Sequence, residues 1–595
     1  MNTAATPMYA WNALPWKRYE RQVFKLQQRI YRAARRGDTQ AVHKLQRLLL
    51  TSRAARTLAV RKVTQDNRGK RTAGVDGVRA LTPLQRLALA RSLRRSTTAR
   101  PTRRVWIPKP GSTEQRPLGI PTMGNRAEQA RAKLALEPEW EARFESNSYG
   151  FRPGRSCHDA IEAIWTSINK QAKYVLDADI AKCFDRINHQ ALLAKLRTFP
   201  TMRRAVRAWL KAGVLDGATL FPTAEGTPQG GVVSPLLANI ALHGLEETIR
   251  DPFPHGNGKA KPLVVRYADD FVILHRDLAV IEEAQRLASA WLSGMGLEMK
   301  PSKTRITHTL DAHDGQRGFD FLGFAVRQFP VGKTHSGKRG GRGTPTLLGF
   351  KTVITPSKDA RRRHVRTLGE LIRRHKASPQ SALILRLNPV IRGWTNYYAT
   401  VCAKETFAKL NQATYLKLRS WARFRHPGKS RHWVARKYWH PERGRWDFAA
   451  PDGPRLLLHD STPIRRHAKV KGARSPYDGD WVYWGTRLGK HPELAGTVAR
   501  LLRRQQGKCA WCAQYFRHGD ALIESDHIIP KALGGGDWLA NRQLLHGHCH
   551  DEKTAGDDSL TSRGTHDKSP HVEEPDAGKL ARPVLQAGRP GDRSA

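Results

Sequence analysis

The sequence has few cysteines and no long apolar run, and each shortage excludes a class of protein. Six cysteines in 595 residues are too few for a fold built on disulfides. No apolar stretch approaches the ~18 residues that span a bilayer, and residues 1–18 lack the apolar core of a signal peptide. We therefore expect a cytoplasmic protein.

Acidic residues are also scarce relative to basic ones. The chain has 103 lysines and arginines against 52 aspartates and glutamates, which gives a formal net charge of +51. Repulsion of this size opposes compaction unless polyanions neutralise it, so nucleic acid is the expected partner and a membrane surface the weaker alternative. A chain of this length is also expected to form several domains.

An acidic turn between two buried strands is the most informative stretch. Residues 263–274 place apolar, β-branched residues on both sides of Tyr267-Ala268-Asp269-Asp270. Two carboxylates between runs that favour burial need a compensating positive charge, and a divalent metal ion would supply it. For this stretch alone, a surface hairpin with an acidic turn is the alternative.

A second predicted strand carries two more candidate ligands. Asp177 and Asp179 lie two positions apart in residues 173–180, so both side chains point to one face of the strand. This periodicity does not choose between them.

Cysteine and histidine are concentrated near the C-terminus. Cys509 with Cys512, and His546 with Cys549, form two short-spaced pairs that can close a tetrahedral zinc site in a small domain. His548 competes with His546 for the fourth position.

Several motifs together resemble those of one protein family. Residues 148–158, 226–239, 267–270 and 387–398 are similar to the motifs of group II intron-encoded reverse transcriptases, also called maturases, and the resemblance covers roughly residues 60–553. It implies an RNA-directed DNA polymerase that also assists intron splicing, nicks target DNA and copies the inserted RNA into DNA. The implied partners are group II intron RNA, target DNA and deoxynucleoside triphosphates, and the implied location is the cytoplasm of a bacterium, in association with the nucleoid. The oligomeric state stays open, with a homodimer as one option.

The resemblance also assigns the polymerase residues. The family places a metal-binding aspartate five residues before an aromatic, which selects Asp179 and Phe184 and leaves Asp177 structural. Asp179, Asp269 and Asp270 would then be catalytic and would bind two Mg²⁺ ions, while Phe184 would reject the ribose 2′-hydroxyl. A basic-rimmed hairpin at residues 103–122 would cover the incoming nucleotide. The expected substrate contacts are Lys109, Arg116, Phe184, Gln229 and Tyr267.

Residues 524–553 resemble an HNH nuclease, which has a ββα-metal fold. The resemblance makes His527 the general base and Asn541 the residue that orients it. Asp526 and His550 would hold a single divalent ion.

The fold class expected from these motifs is α+β and multidomain. It comprises right-hand polymerase fingers and palm at 1–345, an α-helical thumb or maturase domain at 346–440, and a DNA-binding region at 441–498. A small ββα-metal HNH domain at 499–556 and a disordered tail at 557–595 would follow.

Two other functions fit parts of the sequence. One is a non-catalytic RNA-folding cofactor, which the three carboxylates disfavour because a scaffold does not need them. The other is a domesticated or defence-associated reverse transcriptase, which the HNH motif disfavours because nicking a target serves a mobile element.

Overall fold

The chain divides into two compact units. In the computed structural model, the described residues are 11–93, 98–108, 114–254, 260–339, 346–442, 445–451, 453–517 and 523–556. The first unit is Met1–Leu14 with Ala33–Arg474, and the second is Pro15–Arg32 with Ser475–Ala595. Lys109 and the predicted tail at 557–595 lie outside the described residues.

Helices precede and follow a β-hairpin in the N-terminal part of the chain. The elements are α1 (Trp16–Arg35), α2 (Thr39–Thr51), α3 (Arg53–Arg61), α4 (Pro83–Ser92), β1 (Thr102–Pro108), β2 (Gln115–Ile120), α5 (Met123–Glu141) and α6 (Cys157–Ile168). A capping box starts α4, because Thr82 and Gln85 each bond the other's backbone N–H group. Strands β1 and β2 pair antiparallel with Val105 opposite Leu118.

An antiparallel sheet carries the acidic motifs. The next elements are β3 (Tyr174–Asp179), α7 (Cys183–Arg186), α8 (His189–Leu196), α9 (Pro200–Leu210), β4 (Val214–Asp216), β5 (Thr219–Phe221), α10 (Ser234–Leu242), α11 (Leu245–Arg250), β6 (Leu263–Tyr267), β7 (Asp270–His275), α12 (Leu278–Gly294) and β8 (Arg305–His308). One four-stranded sheet has the order β6-β7-β3-β8, and we call it the carboxylate sheet; another has the order β2-β1-β4-β5. Helix α6 packs on β6 and α12 on β7, which explains why residues 271–274 are all buried and apolar.

A small sheet leads into a helical bundle. These elements are β9 (Phe319–Phe321), β10 (Phe324–Pro330), β11 (Lys338–Arg339), β12 (Thr346–Leu347), β13 (Phe350–Pro356), α13 (Lys358–Arg374), α14 (Gln380–Tyr398), α15 (Lys404–Arg425), α16 (Arg431–Tyr438), β14 (Trp439–Glu442) and β15 (Arg445–Phe448). Leu368, Leu387 and Leu418 form the core that joins α13, α14 and α15. Among the helices described in both units, none combines the length and apolar content needed to cross a bilayer.

Within the first unit, an irregular segment at residues 453–474 is joined to α6 and to the residues just before it by buried polar groups. Asp159 is fully buried; its Oδ1 accepts a hydrogen bond from the Val470 N–H at 2.8 Å and lies 3.1 Å from His467 Nε2. Arg155 donates to the carbonyl oxygens of Gly472 and Arg474 at 3.0 and 3.1 Å. The DNA-binding role expected for residues 441–498, like the predicted domain boundaries, stays a prediction.

The second unit contains two helices and a ββα segment after α1. The helices are α17 (Trp481–Leu488) and α18 (Gly496–Arg504), and the ββα segment consists of β16 (Ile523–His527), β17 (Arg542–His546) and α19 (Gly547–Gly556). Strands β16 and β17 pair antiparallel, and Leu501, Leu544 and Leu545 form part of their core. Phe24 of α1 packs against Tyr477 and His491, with ring centroids 6.0 and 5.1 Å apart, so this part of α1 belongs to the second unit.

Arg152 joins α5 to the segment that precedes α6. Its guanidinium donates to both carboxylate oxygens of Glu141 at 2.9 Å, and both side chains are only 1% exposed. It also donates to the carbonyl oxygens of Glu145 and Ser148. Removing one partner of such a pair leaves a buried charge without compensation.

We expect Arg152→Met to lower the free energy of unfolding of the first unit by about 3–5 kcal/mol, because Glu141 would remain buried and unpaired. Urea denaturation followed by circular dichroism measures the change. Arg286→Met is the control, because Arg286 pairs with Glu283 on the exposed surface of α12 and exposed pairs contribute little. Equal midpoints for the two variants would contradict this role for Arg152.

Candidate active sites

Three carboxylates converge at one end of the carboxylate sheet. Asp179 ends β3 directly opposite Asp270, the first residue of β7, so the two side chains share a face of the sheet. Asp269 lies in the turn before β7, where Ala268 has a φ of 60°. The Asp269 carbonyl accepts a hydrogen bond from the Ile180 N–H at 3.2 Å, which ties the turn to the end of β3. The structure thus brings together the three aspartates predicted from the sequence.

Burial and repulsion by neighbouring carboxylates disfavour the ionised forms of Asp269 and Asp270. Desolvation and the charges of Asp269 and Asp179 raise the pKa of Asp270 to about 7. Desolvation also raises the pKa of Asp269, while the charges of Arg116 and Lys303 oppose the increase. A set of oxygen donors that resists ionisation in the absence of a cation fits hard divalent ions such as Mg²⁺.

Lys303 was not among the predicted site residues. Its Nζ donates a hydrogen bond to Asp179 Oδ2, and this bond raises the pKa of Lys303. Lys303 therefore brings a positive charge to the carboxylates from the turn before β8.

Asp177 lies outside this set of three. It is directly opposite Arg305 on β8, and Arg305 Nη2 lies 3.2 Å from Asp177 Oδ2. Burial raises the pKa of Asp177 to about 6, and the charge of Arg305 opposes that increase. Asp177 therefore links β3 to β8. Periodicity along β3 does not distinguish Asp177 from Asp179, but the pairing register does, because Asp177 is opposite Arg305 and Asp179 is opposite Asp270.

A close backbone approach fixes the acidic turn. A Cβ atom at Gly150 would lie 2.3 Å from the Ala268 nitrogen, so only glycine fits there. The buried Arg266 guanidinium donates to the Ala268 carbonyl at 3.3 Å and to Asn239 Oδ1 at 3.2 Å. Asn239 Nδ2 in turn donates to the Gly150 carbonyl at 2.8 Å. Gly150, Arg266 and Asn239 were not predicted from the sequence as residues that support the turn. Arg266 and Asn239 could have been noticed, because each is a polar residue within a mostly apolar strand or helix.

Gln229 connects the glycine-rich loop to two neighbours. Its Nε2 donates to both carboxylate oxygens of Asp185 at 3.0 Å. Its carbonyl accepts a hydrogen bond from the Gly119 N–H at 2.7 Å, which links the loop to strand β2. The position of Gln229 is therefore set by its own side chain and by its backbone.

Three other predicted nucleotide contacts, Phe184, Tyr267 and Arg116, lie within the described residues. Phe184 is half-buried and packs edge-to-face on Phe151, with centroids 6.1 Å apart. Tyr267 ends β6 and is half-buried, and Arg116 is exposed on β2, near enough to affect the pKa of Asp269.

A second cluster lies in the ββα segment. Cys509, Cys512, His546 and Cys549 each offer one ligand atom, and these four atoms lie within 4.8 Å of one another. Three sulfurs and one imidazole nitrogen fit a structural zinc ion. His548 stacks on His546 with centroids 5.3 Å apart and is not one of the four.

Asp526 and His550 face each other between β16 and α19. His550 Nε2 lies 3.8 Å from Asp526 Oδ1, and His550 Nδ1 lies 2.8 Å from Glu524 Oε2. A carboxylate on one ring nitrogen leaves the other nitrogen oriented for a metal. Glu524 was not predicted, although it lies two residues before Asp526 and hence on the same face of the strand.

His527 and Asn541 are connected through a loop. Asn541 accepts a hydrogen bond from the Ile529 N–H at 2.9 Å and donates to the carbonyls of Ile529 and Gly536 at 3.0 Å. It therefore holds the loop that follows His527. His527 Nε2 lies 2.8 Å from Asp537 Oδ1, a partner that the sequence did not indicate.

Four family models match successive parts of the chain. They describe an N-terminal domain of reverse transcriptase at 11–93, a reverse transcriptase (RNA-dependent DNA polymerase) at 107–326, a group II intron maturase-specific domain at 361–439 and an HNH endonuclease at 509–556.

Curated relatives agree with these matches. Protein YkfC of Escherichia coli K12 is 33% identical over 321 residues, which is 47% of this chain and 82% of YkfC. The chain belongs to the group II intron-encoded reverse transcriptase/maturase family. Group II intron-encoded protein LtrA of Lactococcus lactis is 29% identical over 392 residues, which is 53% of this chain and 63% of LtrA.

Family membership settles the coarse architecture and activity. The chain is a mixed α/β, multidomain group II intron protein with reverse transcriptase, maturase and C-terminal HNH endonuclease domains. The predicted family and the predicted combination of reverse transcriptase, maturase and endonuclease functions are confirmed. The non-catalytic cofactor and the domesticated reverse transcriptase are not favoured.

We expect Gly150→Ala to reduce RNA-templated primer extension by roughly 10²-fold, because the added Cβ would displace the acidic turn and a shift of about 1 Å in a catalytic group has that effect. Gly124→Ala is the matched control, since a Cβ there meets open space. Single-turnover extension rates measure the effect. A Gly150→Ala rate equal to that of the control would refute the close-packing argument.

Proposed function

We propose that this protein copies group II intron RNA into DNA from the end of a nicked DNA strand, with Asp179, Asp269 and Asp270 as the metal-binding catalytic residues. The convergence of these three carboxylates at the end of one sheet carries the proposal. In this reading the β1–β2 hairpin belongs to the fingers, the carboxylate sheet is the palm, and α13–α16 form the thumb.

The chemistry follows from the types of residue in the site. Two bound Mg²⁺ ions would lower the pKa of the primer 3′-hydroxyl and neutralise the pyrophosphate leaving group. Arg116 and Lys109 would pair with the triphosphate. Phe184, braced by Phe151, would exclude a 2′-hydroxyl, while Gln229 and Tyr267 would line the nucleotide site.

The second proposed activity is nicking of the target DNA. His527 would activate a water molecule, and Asn541 would hold the loop that orients His527. Asp526 and His550 would bind one divalent ion, with Glu524 orienting the His550 ring.

The maturase role rests on positive charge. Splicing would be catalysed by the RNA, and the protein would neutralise and position its phosphates, so affinity for intron RNA should fall steeply as salt rises. Intron RNA, target DNA and deoxynucleoside triphosphates are the proposed partners. The proposed location is the bacterial cytoplasm beside the nucleoid.

We expect the double substitution Asp269→Asn and Asp270→Asn to lower primer extension by at least about 10²-fold, since metal binding supplies several kcal/mol of transition-state stabilisation. RNA affinity should be unchanged, because the acidic turn is not a phosphate-binding surface. Extension and filter-binding assays measure the two quantities. Asp311→Asn, at a 74% exposed side chain, is the control; full extension by the double variant would remove the polymerase assignment.

We expect His527→Ala to slow strand nicking about 10²- to 10⁴-fold, the usual contribution of a general base. DNA synthesis from a primer that is supplied already annealed should be unaffected. The two activities are assayed on the same preparation. Nicking at the normal rate would show that His527 is not the base.

We also propose that Cys509, Cys512, His546 and Cys549 hold a structural zinc ion. Cys549→Ser should then lose the bound zinc, measured by plasma mass spectrometry, and should lower the melting temperature of the second unit. Cys402→Ser, at an exposed free cysteine, should keep both values. Unchanged zinc content in Cys549→Ser would contradict this ligand set.

A further inference from the structure

Three basic groups, one of which is the proposed nuclease base His527, contact one carboxylate. Asp537 Oδ1 lies 2.8 Å from His527 Nε2 and accepts a hydrogen bond from Arg542 Nη2 at 2.7 Å. Asp537 Oδ2 lies 3.0 Å from Lys531 Nζ. The basic groups come from the end of β16, from the turn Lys531–Leu533 and from the start of β17. Donors from three separate parts of the chain therefore contact a single carboxylate.

The exposure of these groups indicates which of them can leave. The Asp537 and Lys531 side chains are 59% and 61% exposed, whereas those of Arg542 and His527 are 29% and 17% exposed. Water screens exposed ion pairs and makes them weak. The carboxylate can therefore be replaced at little cost while the less exposed Arg542 and His527 side chains remain in place.

The loop that carries these residues has a fixed shape. Asn541 bonds the backbone of Ile529 and Gly536 from inside the loop. A Cβ at Gly535 would lie 1.8 Å from the Ile529 carbonyl oxygen, so the backbone is closely packed there. Lys531 and Arg542 are thus presented by a frame that does not depend on Asp537.

A phosphodiester offers the same arrangement of acceptors as this carboxylate. Arginine pairs with carboxylates and phosphates through similar two-oxygen geometry, and lysine supplies a point charge to either. A DNA phosphate bound in the same place would lie next to His527, where a base must be to activate a water molecule for attack on phosphorus.

We propose that Lys531 and Arg542 form the clamp for the phosphodiester of the nicked strand, and that Asp537 occupies this clamp until DNA displaces it. The proposal rests on the proposed nuclease role of His527. It assigns opposite effects on DNA affinity to neighbouring residues. Lys531 and Arg542 increase the affinity for DNA, and Asp537 lowers it by competing with the DNA phosphate.

The test is steady-state nicking of a double-stranded target DNA by the full-length protein. Asp537→Asn should lower KM severalfold with kcat unchanged, because the competing anion is lost. Arg542→Gln and Lys531→Gln should raise KM, and Arg542→Gln should reduce the slope of log KM against log salt by about 1. Glu493→Gln is the matched charge control, since Glu493 bonds Gln28 instead.

Combining two substitutions separates competition from other effects. In an Arg542→Gln background, Asp537→Asn should give much less than its usual gain, because the clamp that it vacates is already broken. An equal gain in both backgrounds would show a general charge effect and overturn the proposal.

Two further outcomes are distinct from each other. If Asp537→Asn lowers kcat and leaves KM unchanged, Asp537 orients His527 and the clamp proposal is wrong. If His527→Ala nicks DNA normally, the nuclease site itself is misassigned and the clamp proposal fails with it.

Discussion

Repulsion among Asp179, Asp269 and Asp270 is the constraint that the first unit has to satisfy. The carboxylates lie at the end of a buried sheet, where desolvation and mutual charge raise the pKa of Asp270 to about 7. Rigid surroundings hold them there: Gly150 packs against the turn, and Arg266 bonds its backbone. The protein thus keeps the charges close together by covalent and packing geometry, and leaves their neutralisation to the ions that we propose it binds.

The ββα segment handles charge differently. Its core is small, and the four clustered cysteine and histidine ligands offer cross-links that apolar packing cannot supply at this size. One of its acidic side chains, Asp537, pairs with Lys531 and Arg542 near the surface. Exposed pairs exchange readily with solvent and ligands, which suits a site that must open for a large polyanion.

Local patterns predicted the residues whose roles are set by neighbours in sequence. The acidic turn, the strand that contains Asp179 and the paired cysteines all follow from spacing within about ten residues. The roles of other residues depend on contacts between positions that are distant in sequence. Arg305 removes Asp177 from the carboxylate set, and Gly150 supports a turn more than a hundred positions away, which spacing alone does not reveal.

The second unit combines an N-terminal segment with a C-terminal one, and this affects the order in which the chain folds during translation. Arg21 in α1 donates to the Pro492 carbonyl 471 positions later, and Phe24 packs on Tyr477 and His491. During translation the first unit can fold as soon as residue 474 leaves the ribosome, whereas Arg21 and Phe24 of α1 gain these partners only after residue 492 has been made. A fragment that begins at residue 475 would lack the α1 residue that packs on Tyr477 and His491. A ribosome that stops shortly after residue 474 would therefore release a chain whose first unit is complete and whose second unit is not.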